Sequence, residues 1–102
     1  MVSLIESRRA ELDRVCRRRA VRRLELFGSA ARDDFDAVTS DFDFLVEFDA
    51  ASAIPALESY FGLKEDLEAL FGRPVDLVMP RAVRNPYVRA EIDRDRQLLY
   101  AA

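Results

Sequence analysis

The 102-residue chain predicts an α+β fold: a small mixed or antiparallel sheet with helices packed on one face. Three observations carry that reading. Residues 42–48 alternate strictly, with Phe42, Phe44, Val46 and Phe48 on one side and Asp43, Leu45 and Glu47 on the other. Two further short apolar runs, near residues 21–27 and 75–79, read as strands. Helix-period stripes lie before, between and after them. At this length the whole chain, residues 1–102, reads as one domain.

The elements follow in order. Residues 3–19 read as one helix, with Ser3 as N-cap and Glu6 completing a capping box. Leu4, Ile5, Leu12, Val15 and Cys16 form its apolar stripe. Val21–Phe27 is a strand that ends at Gly28-Ser29, followed by a short helix or turn through Ala30, Ala31 and Arg32. Residues 33–40 are polar and acidic, hence a loop. Pro55 opens a helix whose apolar face is Leu57, Tyr60, Phe61, Leu67, Leu70 and Phe71, and Gly72 and Pro74 stop it. Residues 75–79 form a strand with Asp76 and Val78 on one side and Val75, Leu77 and Met79 on the other. Asn85-Pro86 starts a short helix with Val88 and Ile92, and residues 97–100 form an edge strand or extended tail.

Composition narrows the chemistry. The chain has no histidine, which excludes Ser-His-Asp and Cys-His devices and histidine-ligated zinc. The single Cys16 excludes an internal disulfide and packs most simply as a small hydrophobe. No apolar run approaches the ~20 residues that span a bilayer, and no signal-peptide core is visible. The expectation is a cytoplasmic protein without membrane contact. Charge is uneven: residues 1–23 carry a net +5, leaving −8 for the rest. A basic front can attract nucleic acid or an acidic protein surface, or it can be a solvated helix face.

Three groups of residues stand out. Asp41 and Asp43 share one side of a strand, with Cα atoms roughly 7 Å apart. Acids so placed repel each other, and aspartate is a poor strand former. A divalent cation held by oxygen ligands would justify the pair, since Mg2+ takes one or two carboxylates plus substrate phosphates. A solvent-facing strand start would tolerate it too. Gly28-Ser29, directly after a strand, can cradle a phosphate or simply turn the chain. Asp76 interrupts an apolar strand, and it either points toward the first pair or marks a solvated edge.

Taken together, the run Leu26-Phe27-Gly28-Ser29-Ala30-Ala31-Arg32, then Ser40-Asp41-Phe42-Asp43-Phe44-Leu45-Val46, then Val75-Asp76-Leu77-Val78 resembles the polymerase-beta-like nucleotidyltransferase superfamily. The length and the G-S-x-A-R form are similar to its minimal nucleotidyltransferase (MNT) group. The chain departs from that group at Asp33, where glycine commonly follows the arginine, and Asp34, Phe35 and Asp36 make the loop acidic. The resemblance implies Asp41, Asp43 and Asp76 as catalytic residues and ligands of Mg2+, with two ions expected. It implies Gly28 and Ser29 at the β- and γ-phosphates of ATP, with Ser40 and Arg32 as lesser nucleotide-binding residues, for loop anchoring and for phosphate or acid pairing. A two-metal site neutralises the phosphate and activates a hydroxyl without histidine.

The resemblance further implies transfer of AMP from ATP to a hydroxyl, of a tyrosine, on a HEPN-type toxin, with this chain as antitoxin. A chain this short leaves little room for an acceptor domain, so the acceptor is expected on a partner. The arginine-rich first helix and the last helix are the expected docking surfaces, for that partner or for a homo-oligomer. A non-catalytic antitoxin or scaffold that neutralises by binding alone is the alternative. Transfer to a small molecule or nucleic acid is a third reading, and the acidic body argues against direct nucleic-acid binding.

Overall fold

The computed structural model describes residues 3–28, 30–31 and 41–102. In chain order the elements are α1 (Ser3–Ser7), α2 (Arg9–Arg18), β1 (Val21–Phe27), β2 (Phe42–Phe48), α3 (Ala56–Phe71), β3 (Val75–Val78), a 3-10 turn (Pro80–Ala82), α4 (Pro86–Asp95) and β4 (Gln97–Ala101). The strands form one sheet in the order β3-β2-β1-β4. β1 pairs antiparallel with both β2 and β4, while β2 and β3 are parallel and joined through α3. The sheet is therefore mixed, as the sequence predicts.

The alternation in β2 decides how the sheet is buried. Phe42, Phe44 and Val46 are fully buried. They align across the sheet with Leu24 and Leu26 of β1 and with Val75 and Leu77 of β3. α2 and α3 cover this face with Leu12, Val15, Cys16, Leu63, Leu67 and Phe71. The Phe71 ring stands edge-on to Phe42 at 5.2 Å and stacks on Phe44 at 6.2 Å. Burying one such phenylalanine contributes about 1.5–3 kcal/mol. Burial among apolar neighbours pushes the Cys16 thiol up to about 12, so it is an inert packing residue.

Three sequence expectations change. The helix over residues 3–19 is two helices, broken at Arg8, whose N–H donates to the Ile5 carbonyl at 3.1 Å. The Ser7 hydroxyl bonds back to the Leu4 carbonyl at 2.9 Å, and such local bonds compete with the helical ladder. In α3 the inward row is Ser59, Leu63, Leu67 and Phe71, at i, i+4 spacing. Leu57 and Phe61 fall outside that row and are 69% and 56% exposed. The third change concerns α4, which does not join the other helices. Its Ile92 is buried beside Leu45, which belongs to the acidic side of β2. The sheet is thus covered on one side by α2 and α3, and partly on the other by α4.

Both ends of α3 close as expected. Gly72 sits at φ +67° and donates its N–H to the Glu68 carbonyl at 2.8 Å, the left-handed cap that glycine adopts without strain. The residues 97–100 expected at a sheet edge are β4, which pairs with β1. Among the described residues, no helix is long and apolar enough to cross a membrane.

Candidate active site

The parallel register of β2 and β3 sets Phe42 beside Val75, Asp43 beside Asp76 and Phe44 beside Leu77. Because side chains alternate, Asp43 and Asp76 leave the sheet on the side away from the phenylalanine core, on strands about 4.8 Å apart. Asp41 lies two residues before Asp43 at the exposed head of β2. Backbone bonding fixes that head, since the Phe42 N–H donates to the Pro74 carbonyl at 3.2 Å.

β3 is an edge strand, so its outward backbone groups need partners. α3 supplies them. The Tyr60 hydroxyl donates to the Leu77 carbonyl at 3.0 Å, and Lys64 Nζ donates to the Val75 carbonyl. The Val75 N–H donates to Glu68 Oε2 at 3.2 Å. These bonds flank Asp76 on both sides and hold its strand in register with Asp43.

Gly28 follows β1 directly, and its neighbour Phe27 is in register with Asp43. Its φ is +77°, a backbone region that L side chains rarely adopt. A Cβ at this position would run into the Asp43 carboxylate, with its Cγ only 3.2 Å away. Glycine is therefore favoured by conformation, and a side chain here would have to displace the Asp43 carboxylate. Its carbonyl accepts the Ala31 N–H at 3.1 Å, and Ala30 and Ala31 are buried in the core. The bend that the sequence reads as either a phosphate cradle or a plain turn thus lies against Asp43.

α4 leans over the same strand ends and leaves a cleft of about 320 Å³. Phe27, Gly28, Asp43, Val88, Glu91, Ile92 and Asp95 line it. Sequence reasoning missed Glu91 and Asp95. Their i, i+4 spacing on a helix was visible, but nothing in the pattern told which face α4 would turn toward the sheet.

A second ionic group anchors this arrangement. Glu25 of β1 is only 3% exposed and sits on the α4 side of the sheet. Arg96 donates to it from Nε at 2.7 Å and from a terminal nitrogen at 2.6 Å, and Arg23 Nε adds a third bond at 2.8 Å. Arg96 also bonds Asp93 at 2.8 Å. The Arg96 hydrogen bonds, with Arg23 beside them, outweigh burial and hold the Glu25 carboxyl down at about 2. The end of α4 is in this way clamped to β1, two residues from Phe27 of the cleft.

Of the residues singled out from sequence, Gly28, Asp41, Asp43 and Asp76 therefore gather at one edge of the sheet. Ser29, Arg32, Ser40 and the acidic residues 33–36 lie outside the described residues. Among the described residues, no three Cys, Asp or Glu side chains form a ready-made metal group. The donor chemistry still fits Mg2+, a hard cation that accepts carboxylate oxygens and completes its shell with substrate phosphates and water.

A model of the nucleotidyltransferase domain matches residues 9–99, nearly the whole chain. The chain belongs to the nucleotidyltransferase domain family. This nucleotidyltransferase is 40% identical over 75 residues to a proposed protein adenylyltransferase of Methanocaldococcus jannaschii, covering 74% of this chain and 73% of that protein. It is 36% identical over 80 residues to the protein adenylyltransferase MntA of Thermococcus cleftensis, covering 78% and 74%. Among solved structures, it is similar to a minimal nucleotidyltransferase with TM-score 0.72 and 32% identity, covering 91% of this chain and 90% of that one. A HEPN toxin–MNT antitoxin complex of Shewanella oneidensis, in which the toxin is tri-AMPylated, shares the fold at TM-score 0.62 and 17% identity, covering 95% and 72%.

Proposed function

We propose that this nucleotidyltransferase transfers AMP from ATP to a tyrosine hydroxyl of a HEPN-type toxin, with Mg2+ required, and so acts as an antitoxin in the cytoplasm. The observation that carries the reading is the register of Asp43 with Asp76 beside the positive-φ bend at Gly28. The resemblance to protein adenylyltransferases supports the reaction class, and the similarity to an MNT antitoxin held by a HEPN toxin supports the partner.

Asp41, Asp43 and Asp76 would hold the metal, which supplies charge neutralisation at the phosphates and a more acidic attacking hydroxyl. Gly28, with no side chain of its own, would let the backbone approach a ligand, and with Ser29 it would cradle the β- and γ-phosphates. Asp76 would orient the incoming hydroxyl or take its proton. Phe27, Val88 and Ile92 give the cleft an apolar wall that excludes water from one side of the reacting group.

The test is direct. Purified chain, ATP labelled at the α-phosphate, Mg2+ and a HEPN-type partner protein are combined, and label on the partner is measured. Labelling should occur, and Asp43→Asn and Asp76→Asn should each remove it with folding intact. Neutralisation of the partner that survives in both variants would favour the binding-only antitoxin instead.

A further inference from the structure

The chain has three tyrosines, and they are not equivalent. Tyr60 and Tyr100 pack against the core. Tyr87 is 83% exposed, and its hydroxyl bonds to no described residue. It stands in the first turn of α4, where the Asn85 side chain accepts its N–H at 2.9 Å and Pro86 opens the helix.

Helix periodicity sets Tyr87, Glu91 and Asp95 on one flank of α4, at i, i+4 and i+8. Glu91 and Asp95 line the cleft together with Gly28 and Asp43, as does Val88, the next residue after Tyr87. Tyr87 itself is outside this lining, one helical turn before Glu91 and next to Val88. The helix that carries it is fixed to the body of the protein. Ile92 is buried, Arg96 grips Glu25, and Arg89 donates to the Pro80 and Val83 carbonyls at 2.9 and 3.2 Å. A phenol this exposed adds little to packing and is accessible to a reactant.

We propose that Tyr87 is a self-modification site that accepts a nucleotidyl group. The inference rests on the transfer reaction proposed above. The Tyr87 Oη forms a bond to the α-phosphorus of ATP, the bond from that phosphorus to the β-bridging oxygen breaks, and pyrophosphate leaves with the electron pair. The phenolic proton passes to a site carboxylate or to water. The product is a phosphodiester next to Val88 of the cleft, where it adds a negative charge and a bulky nucleoside in the path of an incoming protein acceptor. Self-modification thereby limits transfer to the partner.

The experiment incubates the chain alone with Mg2+ and ATP labelled at the α-phosphate, then maps the label by peptide mass spectrometry. Label is expected on the peptide that contains Tyr87, with loss in Tyr87→Phe and retention in Tyr100→Phe. Tyr87→Phe should still label the HEPN-type partner at least as fast as the unsubstituted chain. Self-labelling of Tyr87→Phe at the original level would overturn the assignment. Labelling of the partner without any self-labelling would also overturn it, while leaving the transfer reaction intact. If neither acceptor is labelled and no pyrophosphate is released, the reaction and its self-directed branch fall together.

Discussion

Two groups of acids sit on the same side of this sheet and serve opposite ends. Glu25, near the middle of β1, is buried under three arginine hydrogen bonds. Asp41 and Asp76, at the heads of β2 and β3, are exposed and meet no arginine or lysine among the described residues. The first group is a finished ionic clamp. The second leaves negative charge in the open beside the positive-φ bend at Gly28. A carboxylate matched by arginines serves stability, and exposed acids beside a backbone bend suit the positively charged metal proposed above. That contrast supports the proposal that one group holds Mg2+ with a triphosphate while the other stabilises the fold.

Substitutions can break the contrast, and the largest effects belong to the acids proposed to hold the metal. Asp43→Asn should lower AMP transfer by about 100-fold or more, since metal-binding groups carry effects of that order. Its melting temperature should stay near that of the unsubstituted chain. A circular-dichroism melt beside the labelling assay checks both halves. Next is the bend. Gly28→Ala places a Cβ against Asp43 at φ +77°, and the strained conformation alone costs about 1–3 kcal/mol. Activity and stability should fall together, which separates it from Asp43→Asn.

The clamp should behave in the opposite way. Glu25→Gln removes charge from three hydrogen bonds and should cost about 1.5–3 kcal/mol by urea titration, with little effect on transfer. The Glu25 carboxyl lies lower in the folded chain than its ordinary 4.5, at about 2. A depressed acid stabilises the fold above its unfolded value and loses that contribution as the pH falls. The contribution should therefore be complete above about pH 4.5 and disappear toward pH 2. Stability curves of the chain and of Glu25→Gln should converge across that interval. Convergence at neutral pH would mean that the clamp contributes nothing. The smallest effect is expected at α3. Leu57, 69% exposed, replaced by Ser should change stability by no more than about 0.5 kcal/mol.

The same contrast explains what was readable in the sequence. The apolar side of β2 announced itself, because alternation over seven residues has one solution when three phenylalanines and a valine need a core. Asp43 and Asp76 followed from the same alternation, and their register needed only a parallel pairing of β2 with β3. Gly28 was legible as a turn, but its contact with Asp43 is a tertiary fact. α4 was legible as a helix and misplaced as a layer. Its few apolar residues, Val88 and Ile92, fit either face of the sheet. The Glu25–Arg96 pairing, across 71 residues, and the burial of Ile92 beside Leu45 fix it on the acidic side. Helix-period patterning puts Leu57 and Phe61 on the apolar face of α3. The inward row of α3 is set instead by Leu63, Leu67 and Phe71, and no local pattern distinguishes the two rows.

The central claim is that the strand-head acids and the Gly28 bend hold a magnesium nucleotide. Thermal unfolding with Mg2+ and a non-hydrolysable ATP analogue tests it most directly, because a ligand that binds only the folded chain raises its stability by about 2.7 kcal/mol at 100 times its Kd. The account predicts a rise in melting temperature for the unsubstituted chain that depends on Mg2+, and no rise for the Asp43→Asn, Asp76→Asn double variant. An equal rise in both proteins would contradict it.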